Sequence, residues 1–385
     1  MHESVLAPNL RRLRAHRGLT QDEVAKAAGI SRVAYRDLEA GQVKEPKVST
    51  LVGLAQAYQV GVEELLRAIP TLKRVRFRST KQMKNREHIL ADVDQWLKDF
   101  IEVEELLDDG CDFELSHIHP VIEGNSADRL IRAKDTARMA REALGLNQKE
   151  PVRDICGLLE AAGVKVYPIK AQTDAFFGLS IGLEDGGPAI VVNTWDKISV
   201  ERWIFSAAHE LGHLLLHLGA YDVDQVVENP DEEKEADCFA AQFLMPDHGF
   251  NNEWYDSMGL GLVDRVLKIK RIFRVSYKTV LYRLEQKFKA NPGWKPQDSV
   301  FLRFQATYKR SHGQGLSKAE EPEALAPEAF KAREPDHLLT SDFSEDRLRT
   351  LVRRSIEKGL ISLGRGAEIL RVPLVEMREL LASWV

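Results

Sequence analysis

The chain of 385 residues is poor in cysteine and has no long apolar run, and each of these scarcities removes a class of protein. Three cysteines, Cys111, Cys156 and Cys238, are too few and too widely spaced for a disulfide framework or a paired-cysteine metal site. Each is expected to be a small buried hydrophobe. Nowhere do about 18 apolar residues occur together, as a membrane helix requires, and Met1 to Arg14 contains no apolar stretch of signal-peptide length. The expected location is therefore the cytosol, with no membrane partner. Low-complexity tracts are also missing, and 44% hydrophobic with 29% charged residues is the composition of a folded globular protein. At roughly 100–200 residues per domain, two or three domains are expected.

Net charge is only −5, but it is unevenly distributed. Residues 1–80 hold 14 Lys/Arg against 8 Asp/Glu, a local +6 that leaves −11 for the remainder. A basic module precedes an acidic body, as in a nucleic-acid-binding domain joined to something else.

Breaks at Pro, Gly and polar residues divide residues 7–69 into five short helices: Asn9 to Arg17, Gln21 to Ala28, Arg32 to Ala40, Ser49 to Tyr58 and Val62 to Ala68. Thr20 is placed to cap the second, with Glu23 completing a capping box, and Ser31 to cap the third. The turn Ala28-Gly29-Ile30-Ser31 gives the spacing of a helix-turn-helix. Leu19-Thr20-Gln21 through Ala25, and Ala28-Gly29-Ile30-Ser31 to Leu38-Glu39-Ala40-Gly41, resemble the XRE family of phage-repressor-like DNA-binding domains. That resemblance implies that Arg32, Val33 and Arg36 face bases in the major groove while Gln21 meets a phosphate. Independently of it, Arg32 and Arg36 stand four residues apart on one helix face, and arginine suits bidentate contact with guanine.

A basic stretch from Leu72 to Arg86 follows, in which the alternation around Val75 and Phe77 is compatible with a short strand; no chemistry is assigned to it. An acidic helix is expected from about Glu87 to Leu107, then a break near His119-Pro120 and Gly124-Asn125. Helices from Ser126 to Leu144 and Val152 to Ala162, and strands from Val164 to Pro168, Ala175 to Leu183 and Ala189 to Val192, make an α+β layout. Beyond Pro246 the chain returns to helix, with Leu262 to Phe273, Ser276 to Phe288 and two or three more between Ser344 and Ser383. Residues 312–336, rich in Glu, Ala, Pro and Lys, read as a connector.

Chemistry concentrates in a helix expected to begin near Ser206, which carries His209-Glu210-Leu211-Gly212-His213. Two histidines at i and i+4 reach one zinc ion at about 2.0–2.1 Å, and the glutamate between them is placed as general base towards a zinc-bound water. His217 is excluded as third ligand because eight residues of helix separate it from His209 by about 12 Å. It is expected in a supporting position or at the partly exposed helix end. The third ligand is sought in Glu233-Lys234-Glu235-Ala236-Asp237. At about 100° per residue, Glu233 borders the stripe of Ala236, Ala240, Phe243 and Leu244, and Asp237 shares its side at about 40°. Glu235 falls near 200° and is expected to face solvent. This selects Glu233 as ligand and Asp237 as the residue that orients a ligand imidazole.

Together the strands, His-Glu-Leu-Gly-His and Glu-x-x-Ala-Asp-x-Phe-Ala…Leu-Met-Pro resemble the ImmA/IrrE metallopeptidases over roughly residues 126–250. Many members have Asn where this chain has Asp237. The resemblance implies gluzincin-like Zn2+ chemistry and cleavage of a repressor. The expected fold is multidomain, mainly α with one α+β domain. It comprises a five-helix XRE-like bundle (1–69), a basic strand and helical linker (70–125), a zincin-like metallopeptidase with a short sheet (126–250) and C-terminal helices (251–385). The expected partners are a double-stranded DNA operator, a protein substrate of repressor or antitoxin type and a second copy in a homodimer. The competing expectation is a regulator whose zinc domain acts as a sensor or dimerisation module without proteolysis.

Overall fold

A computed structural model describes residues 5–43, 45–66, 72–77, 86–118, 129–222, 229–289, 293, 295–296, 299–313, 315–316, 321–322 and 337–384. The break expected near His119-Pro120 and Gly124-Asn125, and most of the connector 312–336, lie outside the described residues. Contacts divide the chain into two compact units, Met1–Leu72 with Lys81–Lys98, and Lys73–Thr80 with Asp99–Val385.

In the first unit, α1 (Leu6–Arg17), α2 (Gln21–Ala27), α3 (Arg32–Glu39), α4 (Val48–Tyr58) and α5 (Val62–Leu65) form the expected bundle. Thr20 and Glu23 make the reciprocal capping box, and Ser31 accepts from the backbone N–H of Ala34. Leu10, Val24, Tyr35, Leu38, Leu54 and Tyr58 fill the core. A polar network crosses it. Arg14 donates to Glu39 at 2.6 Å, the Tyr35 and Tyr58 hydroxyls meet at 2.5 Å, and Asn9 donates to the Leu65 carbonyl at 3.1 Å. Burial pushes the Tyr58 phenol up to about 12.

The second unit is built on a four-stranded mixed sheet of order β1-β3-β4-β2. Strand β2 (Lys165–Ile169) runs parallel to β4 (Ala189–Asn193), and β3 (Gly178–Ile181) pairs antiparallel with β4. The fourth strand, β1 (Val75–Arg76), comes from far upstream and closes the edge of β3, with Val75 opposite Ile181 and Arg76 opposite Ser180. It is held at its start by Asp185, whose carboxylate accepts from the backbone N–H groups of Lys73 and Arg74.

Helix α6 (Arg86–Leu107) precedes α7 (Arg129–Ala143) and α8 (Ile155–Ala161). The motif helix, α9, spans Val200–Leu216 and so begins two turns earlier than expected from Ser206. The reason is its stripe: Val200, Trp203, Ile204, Ala207, Ala208, Leu211, Leu214 and Leu215 are all buried at helical spacing. Helix α10 (Pro230–Leu244) has Asn229 as N-cap, Pro230 in its first turn, and Asp231, Glu232 and Glu233 at its positive end. Helices α11 (Asp247–Asp256), α12 (Leu262–Phe273), α13 (Tyr277–Lys289) and α14 (Val300–His312) follow, then α15 (Arg347–Glu357), α16 (Leu363–Leu370) and α17 (Leu374–Ser383). Cys156 and Cys238 are buried as expected, whereas Cys111 is only partly so.

Helices α9 and α10 cross at Gly212. A Cβ there would stand 2.9 Å from Cδ1 and 3.2 Å from Cβ of Phe239, so only glycine lets the ring pack this close. Arg141, fully buried on α7, holds the far end of α10 by donating to the Phe243 carbonyl at 2.6 Å. The burial of its guanidinium lowers its pKa to about 10. These two contacts set where the first turn of α10 meets α9.

Candidate functional site

Three donor atoms converge between α9 and α10. His209 Nε2 lies 3.0 Å from His213 Nε2 and 3.2 Å from Glu233 Oε2, and His213 Nε2 lies 3.4 Å from Glu233 Oε1. Four ligands placed tetrahedrally at 2.0–2.1 Å from zinc are about 3.3 Å apart. The triangle therefore has the size of one face of such a shell, and its two imidazoles and one carboxylate are zinc-type donors. Among the described residues, His209, His213 and Glu233 are the group able to hold a metal ion.

Neighbouring side chains fix which imidazole nitrogen carries a proton. His209 Nδ1 donates to Asp237 Oδ1 at 2.9 Å, which leaves Nε2 facing the triangle. His213 reaches the same result through a longer route. Glu235 Oε2 accepts from His217 Nε2 at 3.1 Å, so His217 Nδ1 is the acceptor for His213 Nδ1 at 2.9 Å, and His213 Nε2 is free for a cation. Burial pulls His217 down to about 4, keeping it neutral in this relay.

The electrostatics favour a positive charge at the centre of the triangle. Burial opposes charge on His209, yet hydrogen bonds to Asp237 and Glu233 raise it to about 10. Burial also works to raise Glu233, but its bonds to His209 and His213 hold it well below the usual carboxylate range. His213, nearly sealed from water, is lowered well below its ordinary value by burial.

Glu210 sits on the β3 side of α9. Its Oε2 accepts from Ser180 Oγ at 2.7 Å, and Ser180 accepts from the Tyr221 hydroxyl at 2.7 Å. Gly178 makes room for it, since a Cβ there would lie 3.0 Å from Glu210 Cγ. Burial raises the Glu210 carboxyl to about 7, where a group both accepts and returns protons at neutral pH. Two turns upstream on α9, the Arg202 guanidinium stacks on the Phe177 ring at 4.3 Å and forms no hydrogen bond or ion pair among the described residues.

Glu235 does not face solvent. Its side chain is 1% exposed and accepts from Arg132 Nη2 at 2.6 Å. The polar side of α10, with Glu235, Cys238 and Gln242, is covered by α7, which brings the counter-charge from about 100 residues upstream. Helix phase alone carries no sign of that partner. Nor did spacing point to Ser180, Tyr221, Arg202 or Arg76. Arg76 of β1 donates to Glu232 at 2.5 Å and to Glu233 Oε1 at 2.8 Å from a side chain only 2% exposed.

In the first unit, Arg32, Val33 and Arg36 are all exposed on one face of α3. Arg32 contacts Asp22 at 3.4 Å and Arg36 contacts Asp37 at 2.9 Å, both pairs open to water and easily exchanged for other partners. Gln21 is committed inward, its amide donating to Glu39 at 2.5 Å.

Residues 159–285 match the family described as the IrrE N-terminal-like domain, and residues 10–65 match the family described as helix-turn-helix. No curated protein matches the chain. No helix among the described residues is long and apolar enough to cross a membrane. The chain thus joins, in this order, a helix-turn-helix domain of XRE type to an ImmA/IrrE-type domain of the metallopeptidase class.

Proposed function

We propose that the protein is a cytoplasmic, DNA-binding regulator whose central domain is a zinc-dependent endopeptidase acting on a protein partner of repressor or antitoxin type. The observation that carries this reading is the convergence of His209, His213 and Glu233 within hydrogen-bond distance of one another, with Glu210 next to His209 in the same turn of α9. Bound there, a zinc ion supplies Lewis acidity towards water and a carbonyl group.

The rest of the chemistry belongs to the chain. Glu210 takes a proton from water and later delivers it to the leaving amine, a role suited to a carboxyl near neutrality. Ser180 and Tyr221 hold its other oxygen in place. Arg202 offers free N–H donors to carbonyl oxygens or carboxylates of an extended substrate. On α3, Arg32, Val33 and Arg36 read the operator. Glu210 also weighs against a purely structural or sensory metal domain, because such a site needs no buried base beside the ligands.

The test uses the zinc-loaded full chain and candidate DNA-binding repressors and antitoxins as substrates, with products read by mass spectrometry. Wild type is expected to cut at a defined bond. Glu210→Gln should bind zinc equally and cut nothing, and His209→Ala should lose zinc. Cleavage by Glu210→Gln at the wild-type rate, or zinc binding without any cleavage by wild type, overturns the proposal.

A further inference from the structure

The metal-binding triangle is not completed by the two helices alone. Strand β1 lies in neither family-matched region, yet it places a buried guanidinium against Glu233. Directly opposed residues of an antiparallel pair project from the same face. Arg76 stands opposite Ser180, whose hydroxyl bonds Glu210, so both side chains enter on the α9–α10 side.

Each contact of Arg76 has a separate effect. Its Nη2 donates to Glu233 Oε1 at 2.8 Å, which turns Oε2 towards His209 Nε2 at 3.2 Å. Its Nη1 donates to Glu232 at 2.5 Å, and Glu232 is itself held by Asn229 Nδ2 at 2.9 Å. A lone cation beside the triangle would repel a metal ion. Glu232 neutralises it, so the charge of Glu233 stays available to the centre.

We propose that Arg76 is a positioning residue for Glu233 and that seating of β1 in the sheet sets the metal affinity of the centre. This rests on the zinc reading above but not on proteolysis. Helix α5 ends at Leu65 and β1 begins at Val75, so the strand directly follows the helix-turn-helix domain in sequence. Whatever displaces β1 takes Arg76 with it and releases Glu233.

The experiment measures zinc release from the full chain to a chromophoric chelator, and melting temperature at saturating zinc. Arg76→Met keeps the length and burial of the side chain without its hydrogen bonds; it is expected to weaken zinc binding about 10–100-fold and, by leaving the Glu232 carboxylate unpaired, to lower the melting temperature as well. Arg76→Lys, which retains charge and one donor, should recover part of that loss. Glu232→Gln leaves Arg76 uncompensated and should also weaken zinc, which a role confined to strand docking does not require. A folded Arg76→Met that releases zinc at the wild-type rate overturns the proposal, as does Arg76→Lys with no recovery. Failure of wild type to bind zinc defeats the metal reading and this one together, whereas zinc binding without peptide cleavage defeats only the proposed enzyme.

Discussion

Truncating Glu235 to alanine separates the observed packing of α10 from a helix with one solvated side. If Glu235 faced water the change would be nearly silent. Instead its carboxylate is 1% exposed and bonded to Arg132 at 2.6 Å and to His217 at 3.1 Å. Removing one member of a buried ion pair costs about 3–5 kcal/mol. Arg132 is 25% exposed and can turn partly to water, which reduces that share. His217, 5% exposed, has no such escape, and its unpaired N–H alone costs about 1–3 kcal/mol. A net loss of about 2–4 kcal/mol follows, or a fall of about 3–7 °C in Tm for a unit of this size. The imidazole relay to His213 also loses its anchor, so zinc affinity should drop about 10–100-fold. Glu235→Gln keeps one acceptor and should fall between. Thermal melting by circular dichroism and zinc release to a chelator measure the two effects. Glu235→Ala that melts within about 1 °C of wild type and holds zinc as tightly would refute both the buried pair and the relay.

Three further outcomes are expected. Gly212→Ala sets overpacking against Phe239, about 1–3 kcal/mol, against a helix-propensity gain of about 1 kcal/mol. Urea titration should show a net loss of up to about 2 kcal/mol and a larger one for Gly212→Val; a valine variant as stable as wild type contradicts the close helix crossing. Arg32→Ala or Arg36→Ala should weaken specific operator binding by about 1–3 kcal/mol without altering zinc content, and unchanged selectivity in a gel-shift titration removes α3 as the reading helix. Glu160, raised to about 7 by burial, accepts from the backbone N–H groups of Asp346 and Arg347 at the start of α15. Because its folded pKa is raised, its contribution to stability is complete below about 4.5 and lost as pH climbs through 7, up to about 3 kcal/mol. Glu160→Gln should flatten that dependence in hydrogen exchange of α15, and an unchanged pH profile argues against it.

Features that depend on local spacing were readable before the fold. The capping box at Thr20 and Glu23, the one-sided placement of Arg32, Val33 and Arg36, and the proximity of Glu233 and Asp237 to the histidine pair all follow from residues three or four apart. The start of α9 was placed near Ser206, whereas the buried stripe of Val200, Trp203 and Ile204 carries the helix further upstream. Glu235 was misread for a different reason. Its partner, Arg132, arrives from another helix, and one helix's periodicity contains no term for it. Ser180 and Arg76 were missed for the same cause: their strands were expected, but their partners Glu210 and Glu233 stand on helices far along the chain.

The sheet order β1-β3-β4-β2 carries a lesson about ancestry. Genes that exchange a DNA-reading module by recombination need a crossover point that leaves both products foldable. Here that point falls between Leu65 and Lys73, well upstream of the residues that match the IrrE N-terminal-like domain. A break anywhere from Arg74 to the start of that match would strip β3 of its outer neighbour, baring backbone N–H and C=O groups at Ser180 and Ile181 for pairing with foreign chains. A module swapped in front of this core must therefore keep the pairing of Val75 with Ile181, or arrive with a replacement strand of its own.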